Sequence, residues 1–100
     1  MMGKYKGYHD AEGSFHNESG PALVTTFGDK HWYIHGKHHR IDAPAIEQSN
    51  GSKYWYVNGK LHRMDGPAVD HVSGDKEWWI NGKQYPPAMW SRLVKLQVMW

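Results

Sequence analysis

The stretch that decides the fold runs from Tyr54 to Val69 and reads "YWYVNGKLHRMDGPAV". At its centre, Asn58 and Gly59 separate two short runs rich in aromatic and apolar residues. Asn-Gly is the strongest short hairpin signal, because a type I′ turn needs a positive φ at both central residues. Pro67 fixes φ and removes an amide donor, which indicates a second break in the chain. The stretch therefore predicts an antiparallel β-hairpin followed by a turn.

The same phrase occurs three times at a constant spacing. The turn glycines Gly36, Gly59 and Gly82 follow one another at 23 residues, and prolines, histidines and tryptophans keep the same step. A constant period without insertions is the signature of a repeat architecture. We therefore predict a single domain over 1–100, with a partial N-terminal repeat at 1–14, three repeats at 15–37, 38–60 and 61–83, and a C-terminal capping helix at 86–100. The segment "YHDAEG" at 8–13 places the partial repeat, since it falls in step with "HWYIHG" at 31–36.

The predicted fold class is mainly β: an antiparallel meander of repeated β-hairpins that forms an elongated sheet, with one C-terminal α-helix. Beyond the two prolines at 86–87, apolar residues recur at the spacing of one helical stripe: Met89, Leu93, Leu96 and Trp100. Because the last repeat has an open apolar end, we expect this helix to cover it. The alternative is a dimer or partner contact through Trp90 and Trp100.

Side chains alternate between the two faces of a strand, so each repeat also predicts what each face carries. One face of the second strand keeps a tryptophan and an aliphatic residue in every repeat, which predicts a packed column: Trp32 and Ile34, Trp55 and Val57, Trp78 and Ile80. The other face is aromatic but varied, which predicts a half-exposed surface. On the preceding strand, Leu23, Ile46 and Val69 mark the buried side.

Composition narrows the class of protein. The chain has no cysteine, which excludes disulfides, thiolate zinc sites and a cysteine nucleophile. Its formal charge of +2 is too small to indicate a nucleic-acid partner by itself. The start, "MMGKYKGYHD", lacks the apolar region of a secretory signal, and no stretch is apolar enough to span a bilayer. We therefore expect a cytoplasmic protein, in the host cytoplasm if a phage encodes it.

The repeated pattern Trp-aromatic-aliphatic-Asn-Gly-Lys-x-His-Arg-x-Asp-Gly-Pro-Ala resembles a repeat found in small proteins of tailed bacteriophages and some bacteria. It is similar to the MORN repeat in its period, its "NGK" turn and its later turn glycine, over residues 8–85. It departs from MORN where "HRMDGPA" replaces a shorter glycine-rich step, and the "YEGEW" opening is absent. The resemblance implies an elongated sheet that acts as a binding or assembly module. Small phage proteins of this kind include antagonists of host defence systems.

Residues that carry chemistry do not form a recognisable active site. Neither a nucleophile elbow, a phosphate-binding loop nor a zinc-protease motif occurs, and Asp42 and Asp65 occupy equivalent turn positions. The repeated histidines His16, His39 and His62 are explained by a structural hydrogen bond in each turn. We therefore expect no enzyme, no cofactor and no metal site.

The candidate binding residues are basic and aromatic. Stacked repeats would place one lysine after each hairpin turn in a column, with arginines nearby, and a second lysine column at 30, 53 and 76. Basic grooves combined with stacking aromatics are what single-strand binders use. The candidate site residues are Lys37, Lys60, Lys83, Arg40, Arg63, Tyr33, Tyr54, Tyr56 and Trp79.

Two functions remain in view. Tyrosine, tryptophan and arginine dominate protein-binding hot spots, so we expect a non-catalytic, phage-like repeat protein that docks on a host protein, such as a defence toxin or nuclease, and inhibits it. The alternative is RNA or single-stranded nucleic-acid binding through the basic and aromatic columns. A membrane partner is not expected, because there is no polybasic cluster. A homo-oligomer would form through the C-terminal helix.

Overall fold

The computed structural model describes residues 5–96, which form a mainly antiparallel β-structure and one helix. This confirms the predicted fold class. Most strands contain only two residues, because turns follow one another closely along each repeat. The elements are β1 Lys6–Gly7, β2 Leu23–Val24, β3 Lys30–His31, β4 Tyr33–Ile34, β5 Lys37–His38, β6 Ile46–Glu47, β7 Lys53–Tyr54, β8 Tyr56–Val57, β9 Lys60–Leu61, β10 Val69–Asp70, β11 Lys76–Ile80, β12 Lys83–Tyr85 and α1 Pro87–Lys95.

The main sheet is a meander that runs along the repeat axis. Its strand order is β1-β2-β3-β6-β7-β10-β11-β12, and β4–β5 and β8–β9 form two small hairpins beside it. The molecule measures 49 × 32 × 18 Å. The sheet is therefore elongated, and both of its faces are available for side-chain contacts.

Each second strand changes its partner at the tryptophan. The amide of Trp55 donates to the carbonyl of Ala68 in the next repeat at 2.7 Å, and Trp32 bonds Ala45 in the same way. The residues before Trp55 pair with β6 of their own repeat and with β10 of the next, and those after it pair within their own hairpin. The fully buried Ala22, Ala45 and Ala68 mark the centre of this junction.

The buried aliphatic residues of the preceding strands do not lie on the same face of the sheet as the tryptophans. Residues that pair directly across antiparallel strands share a face. Val69 pairs with Tyr54 and with Glu77, and Ile46 also pairs with Tyr54. These buried aliphatic residues therefore lie on the face of the tyrosines, opposite the tryptophan column. We call the two surfaces the tyrosine face, with Tyr33, Tyr54, Tyr56 and Trp79, and the tryptophan face, with Trp32, Trp55 and Trp78.

The partial N-terminal repeat is displaced by one residue from the predicted alignment. The amide of Tyr8 donates to the carbonyl of Ala22 at 2.7 Å, which is the bond that Trp32 makes in the next repeat. Tyr8 therefore takes the place of a tryptophan, whereas the sequence alignment matched it with His31. His9 then bridges to Phe15, so this hairpin loop is one residue longer than the later ones.

The C-terminal helix covers the last repeat through Trp90. Its ring lies 6.4 Å from that of Trp78, and its Nε1–H donates to the carbonyl of Arg63 at 3.1 Å. The predicted apolar stripe does not make this contact, since Met89 is 46% and Leu96 is 53% exposed. Trp100, the last residue of the predicted stripe, lies outside the described residues. The helix begins with Pro87 in its first turn, where a missing amide costs nothing.

Replacing Trp55 by alanine should lower the free energy of unfolding by about 3 kcal/mol, the lower end of the range for large aromatic deletions, because the ring is only half-buried. Denaturant titration of both proteins measures this difference. Phe27→Ala is the control, since Phe27 is 83% exposed and its removal should change stability by less than about 0.5 kcal/mol. An unchanged midpoint for Trp55→Ala would contradict a structural role for the tryptophan column.

Candidate binding surfaces

Histidine side chains fasten each hairpin to the next. In every case an imidazole Nδ1 accepts, at 3.0 Å, the amide of the first turn residue of the following hairpin. These turn residues have positive φ angles of 47°, 52° and 50°, and the glycine after each donates its amide to the preceding hairpin at 2.8 Å. The predicted structural hydrogen bond of the repeated histidines is therefore confirmed. The pairs are His16 with His35, His39 with Asn58, and His62 with Asn81.

One of these contacts brings three ligand-type side chains together at the N-terminal end. Polar atoms of Asp10, His16 and His35 lie within 4.8 Å of one another. Their hydrogen bonds already use the ligand atoms: His16 Nδ1 accepts the turn amide, and His35 Nδ1 lies 2.8 Å from the Asp10 carboxylate. The two imidazole rings also stack. The contact between Asp10 and His35 therefore fastens the partial repeat to the first full one.

The lysines of the main sheet face acidic partners on the tryptophan face. Lys30 and Lys53 flank Glu47, and Lys53 and Lys76 flank Asp70, each as direct cross-strand pairs. Lys76 Nζ lies 3.0 Å from Asp70 Oδ1. Opposite charges at such positions attract one another and reduce the field of the column. The second predicted lysine column is therefore partly neutralised, although Glu47 forms its ion pair with Arg40 at 3.2 Å.

The lysines after the hairpin turns form an exposed column, as the repeat implies. The stem of Lys37 lies over Gly59, and that of Lys60 lies over Gly82. Across each hairpin they pair with the aliphatic residues of the tryptophan face: Lys37 with Ile34, Lys60 with Val57 and Lys83 with Ile80. This column therefore lies on the face opposite the tyrosines.

The two candidate arginines make internal contacts. The guanidinium of Arg40 lies 3.7 Å above the ring centre of Trp32, and that of Arg63 lies 3.8 Å above Trp55. Each also donates to the carbonyl of the proline four residues later, at 3.1 and 3.0 Å. Each arginine follows its tryptophan by eight residues, a spacing that could have indicated the contact. Their guanidinium groups close the turns of the repeat.

Aromatic rings on the tyrosine face stack on one another along the repeat axis. The sequence of rings is His9, Phe15, Tyr33, His38 and Tyr56, with centroid distances of 4.7, 5.2, 4.2 and 5.0 Å. Neighbouring planes differ by only 25–30°. We call this set the stacked column. Its ring faces contact other rings, so its edges and polar tips form the outer surface.

The remaining aromatics of this face join a polar group. Trp79 Nε1–H donates to Glu77 at 2.9 Å, and the other carboxylate oxygen lies 3.2 Å from His71. Tyr54 meets His71 edge to face, with ring centres 6.0 Å apart. The sequence placed Tyr54 and Trp79 on this face correctly, but it missed His38 and Phe15. Both lie on the returning side of a hairpin, His38 opposite Tyr33 and Phe15 opposite His9, which brings their rings into the column.

Two histidines of the tyrosine face share a hydrogen bond. His31 Nδ1 and His38 Nε2 lie 3.2 Å apart. Burial and the neighbouring His31 lower the pKa of His38 to about 4, and burial also lowers the pKa of His31. Burial raises the pKa of Tyr33 and of Tyr56. The tyrosine face is therefore uncharged at these positions at neutral pH.

Comparisons with protein-family models, with curated proteins and with solved structures find no match to this chain. Within residues 5–96, no helix has the length and apolar character needed to cross a membrane.

Substituting His39 tests the hydrogen bond between its imidazole and the amide of Asn58. His39→Ala leaves the amide of Asn58 without its acceptor, and because this turn is solvent-exposed the expected loss is about 1 kcal/mol of unfolding free energy. His39→Asn is the matched variant, since its side-chain oxygen can occupy the place of Nδ1. In denaturant titration, the free energy of unfolding should be highest for the wild type, lower for His39→Asn and lowest for His39→Ala. Equal stability of the alanine variant and the wild type would contradict the contact.

Acid should destabilise the fold through its histidines. Burial lowers the pKa of His62, and the pKa of His38 is about 4, whereas an unfolded histidine protonates near 6.5. These groups therefore add stability above about pH 6.5 and lose it as the pH falls towards 4. Denaturation midpoints measured from pH 7 to 4 should fall steadily over that window. A midpoint that rises as the pH falls would contradict the assignment of neutral histidines.

Proposed function

We propose that this protein is a non-catalytic binding protein that docks on a protein partner through its tyrosine face. The observation that carries the proposal is the stacked column, which holds aromatic side chains rigidly and presents their edges. Rigid aromatic residues with a polar tip give large contact area at small entropic cost, which is why they dominate protein-binding hot spots.

The polar tips of this face are available to a partner. Among the described residues, the hydroxyls of Tyr33, Tyr54 and Tyr56 make no hydrogen bond to another protein group. The strand positions of the tyrosine face carry Glu77 as their charged residue, together with histidines and apolar groups. A surface with few charges and many hydrogen-bonding aromatics is typical of the desolvated centre of a protein interface.

Nucleic-acid binding is the alternative, and the exposed column of Lys37, Lys60 and Lys83 is the observation that favours it. A phosphate backbone could follow these charges. The same strand could not also stack its bases on the tyrosines, because those rings lie on the opposite face and already stack on one another. Single-strand binders use both features on one surface. The geometry therefore favours a protein partner.

The resemblance to small phage proteins suggests the kind of partner. On that basis we propose a host protein, such as a defence toxin or nuclease, which this chain inhibits by covering a functional surface. The tyrosine face runs along the long axis of the molecule, which extends 49 Å and is long enough for a protein interface of ordinary size.

The triple variant Tyr33→Phe, Tyr54→Phe and Tyr56→Phe tests the proposal without removing a ring. Loss of three hydrogen bonds at about 0.5–1.5 kcal/mol each should weaken partner binding more than tenfold. The measurement is quantitative capture on the immobilised protein from a nuclease-treated host lysate, followed by a binding titration with the captured protein. A matching melting curve establishes that the triple variant is folded.

The matched control is Lys60→Glu combined with Lys83→Glu, on the opposite face. Protein capture should survive this change. Loss of capture with the lysine variant and retention with the tyrosine variant would contradict the proposal. Tight binding of labelled single-stranded RNA, with a steep salt dependence that the lysine variant abolishes, would establish the alternative.

A further inference from the structure

The tryptophan face has a groove at the same place in successive repeats. The groove beside Trp55 has a volume of about 470 Å³, and its sister beside Trp32 has about 590 Å³. Ile41, which is 60% exposed, contributes to both. In the groove beside Trp55, Ile41 lies with Met64 and Val57 among the lining residues. Each groove is therefore a partly apolar cleft between the turns of neighbouring repeats.

In the third repeat, a side chain of the protein itself occupies the place beside Trp78 that corresponds to these grooves. The residue equivalent to Arg40 and Arg63 is Pro86, so no guanidinium covers Trp78. Trp90 of α1 lies beside that ring instead, at 6.4 Å and an angle of 58°. Its Nε1–H donates to the carbonyl of Arg63 at 3.1 Å. An indole carried by a helix therefore already occupies one member of the series.

The groove beside Trp55 shares one recognition element with the place that Trp90 occupies, a backbone carbonyl. The carbonyl of Arg40 corresponds to that of Arg63, and among the described residues it accepts no backbone hydrogen bond. The floor differs, because the guanidinium of Arg63 covers Trp55 at 3.8 Å. A planar guanidinium is itself a good surface for an aromatic ring. An entering indole would therefore stack on Arg63 and donate to Arg40.

The rim of this groove carries charges of both signs. Asp42 and Asp65 line it together with Arg40 and Arg63, and Asp65 pairs with Arg63 Nε at 2.8 Å. Asp42 is exposed and forms no ion pair within residues 5–96, so it is the carboxylate that a basic side chain of a partner would contact. The chain's own helix carries such basic side chains, Arg92 and Lys95, in its last turn.

We propose that the groove between the Arg40 and Arg63 turns binds the indole of a tryptophan carried on a basic helix of a partner protein, as Trp90 binds at the next repeat. This contact lies on the tryptophan face and is independent of docking through the tyrosine face. The proposed ligand class is a short helical segment in which basic residues follow a tryptophan.

A peptide titration of the full-length protein tests this inference. The probe is the synthetic peptide "PPAMWSRLVKL", with the sequence of residues 86–96, and its matched control carries alanine in place of tryptophan. Methyl NMR should show saturable shifts at Ile41 and Met64, with a Kd on the order of 1 mM or tighter. The alanine peptide should leave these methyl signals in place. Equal shifts with both peptides, or none with either, would overturn the proposal.

Variants of the protein locate the contact. Ile41→Asp should abolish the shift at Met64. Because Ile41 is exposed, this variant should remain folded, and a melting curve checks that it does. Val72→Asp is the matched control, since Val72 is equally exposed at 63% but lies away from the groove. The triple tyrosine variant should bind the peptide like the wild type. Shifts confined to the methyl groups of Met89 and Leu93 in α1, which would mean that the peptide displaces the chain's own helix, would also overturn the proposal.

Discussion

The structure depends on one hydrogen bond, which the chain makes three times. A neutral imidazole that follows one hairpin accepts the amide of a left-handed turn residue in the next hairpin. The turn must have a positive φ to aim that amide outward, and asparagine, glycine and histidine tolerate this conformation better than most residues. On the opposite edge of the sheet, Asp29 and Ser52 accept turn amides from the next repeat in the same manner. Both edges are thus fixed, so successive hairpins stack in register.

The repeats end where the histidine and arginine that contact a following hairpin are replaced by other residues. Tyr85 stands where His62 would recur, and Pro86 stands where an arginine would donate both its amide and its guanidinium. Trp90 then covers the last tryptophan. At the other end, Asp10 accepts amides of its own loop and contacts His35, which holds the pKa of Asp10 below its usual value. The ends are therefore closed by specific side chains rather than by a change in the sheet.

Much of this fold follows from sequence, because the period, the Asn-Gly turns and strand parity are local properties. The 23-residue step predicted the hairpins and the histidine contacts. Parity separated tryptophans from tyrosines correctly. Pairing between repeats is not a local property, and it put Val69 on the tyrosine face rather than with Trp55. The displacement at Tyr8 likewise depends on a loop one residue longer, which periodicity alone does not reveal.

The candidate site was less predictable, since it depends on which groups the sheet brings together. The prediction from the sequence grouped the lysines, arginines and aromatic residues in one candidate binding site. The structure places the lysines after each turn on one face, encloses the arginines against tryptophans, and stacks the aromatic rings on the other face. Two surfaces with different chemistry result: one aromatic with few charges, the other charged and grooved. Each proposal concerns one of these faces, and each face can be altered without touching the other.

The imidazole tautomers of His39 and His62 test most directly the claim that neutral histidines hold the repeats in register. A long-range proton–nitrogen NMR spectrum at neutral pH distinguishes the two ring nitrogens. The structure predicts a proton on Nε2 and an unprotonated, hydrogen-bonded Nδ1 in both residues, together with slow exchange of the Asn58 and Asn81 amides. A proton on Nδ1, or rapid averaging between the two tautomers, would contradict the stacked arrangement and the separation of faces that rests on it.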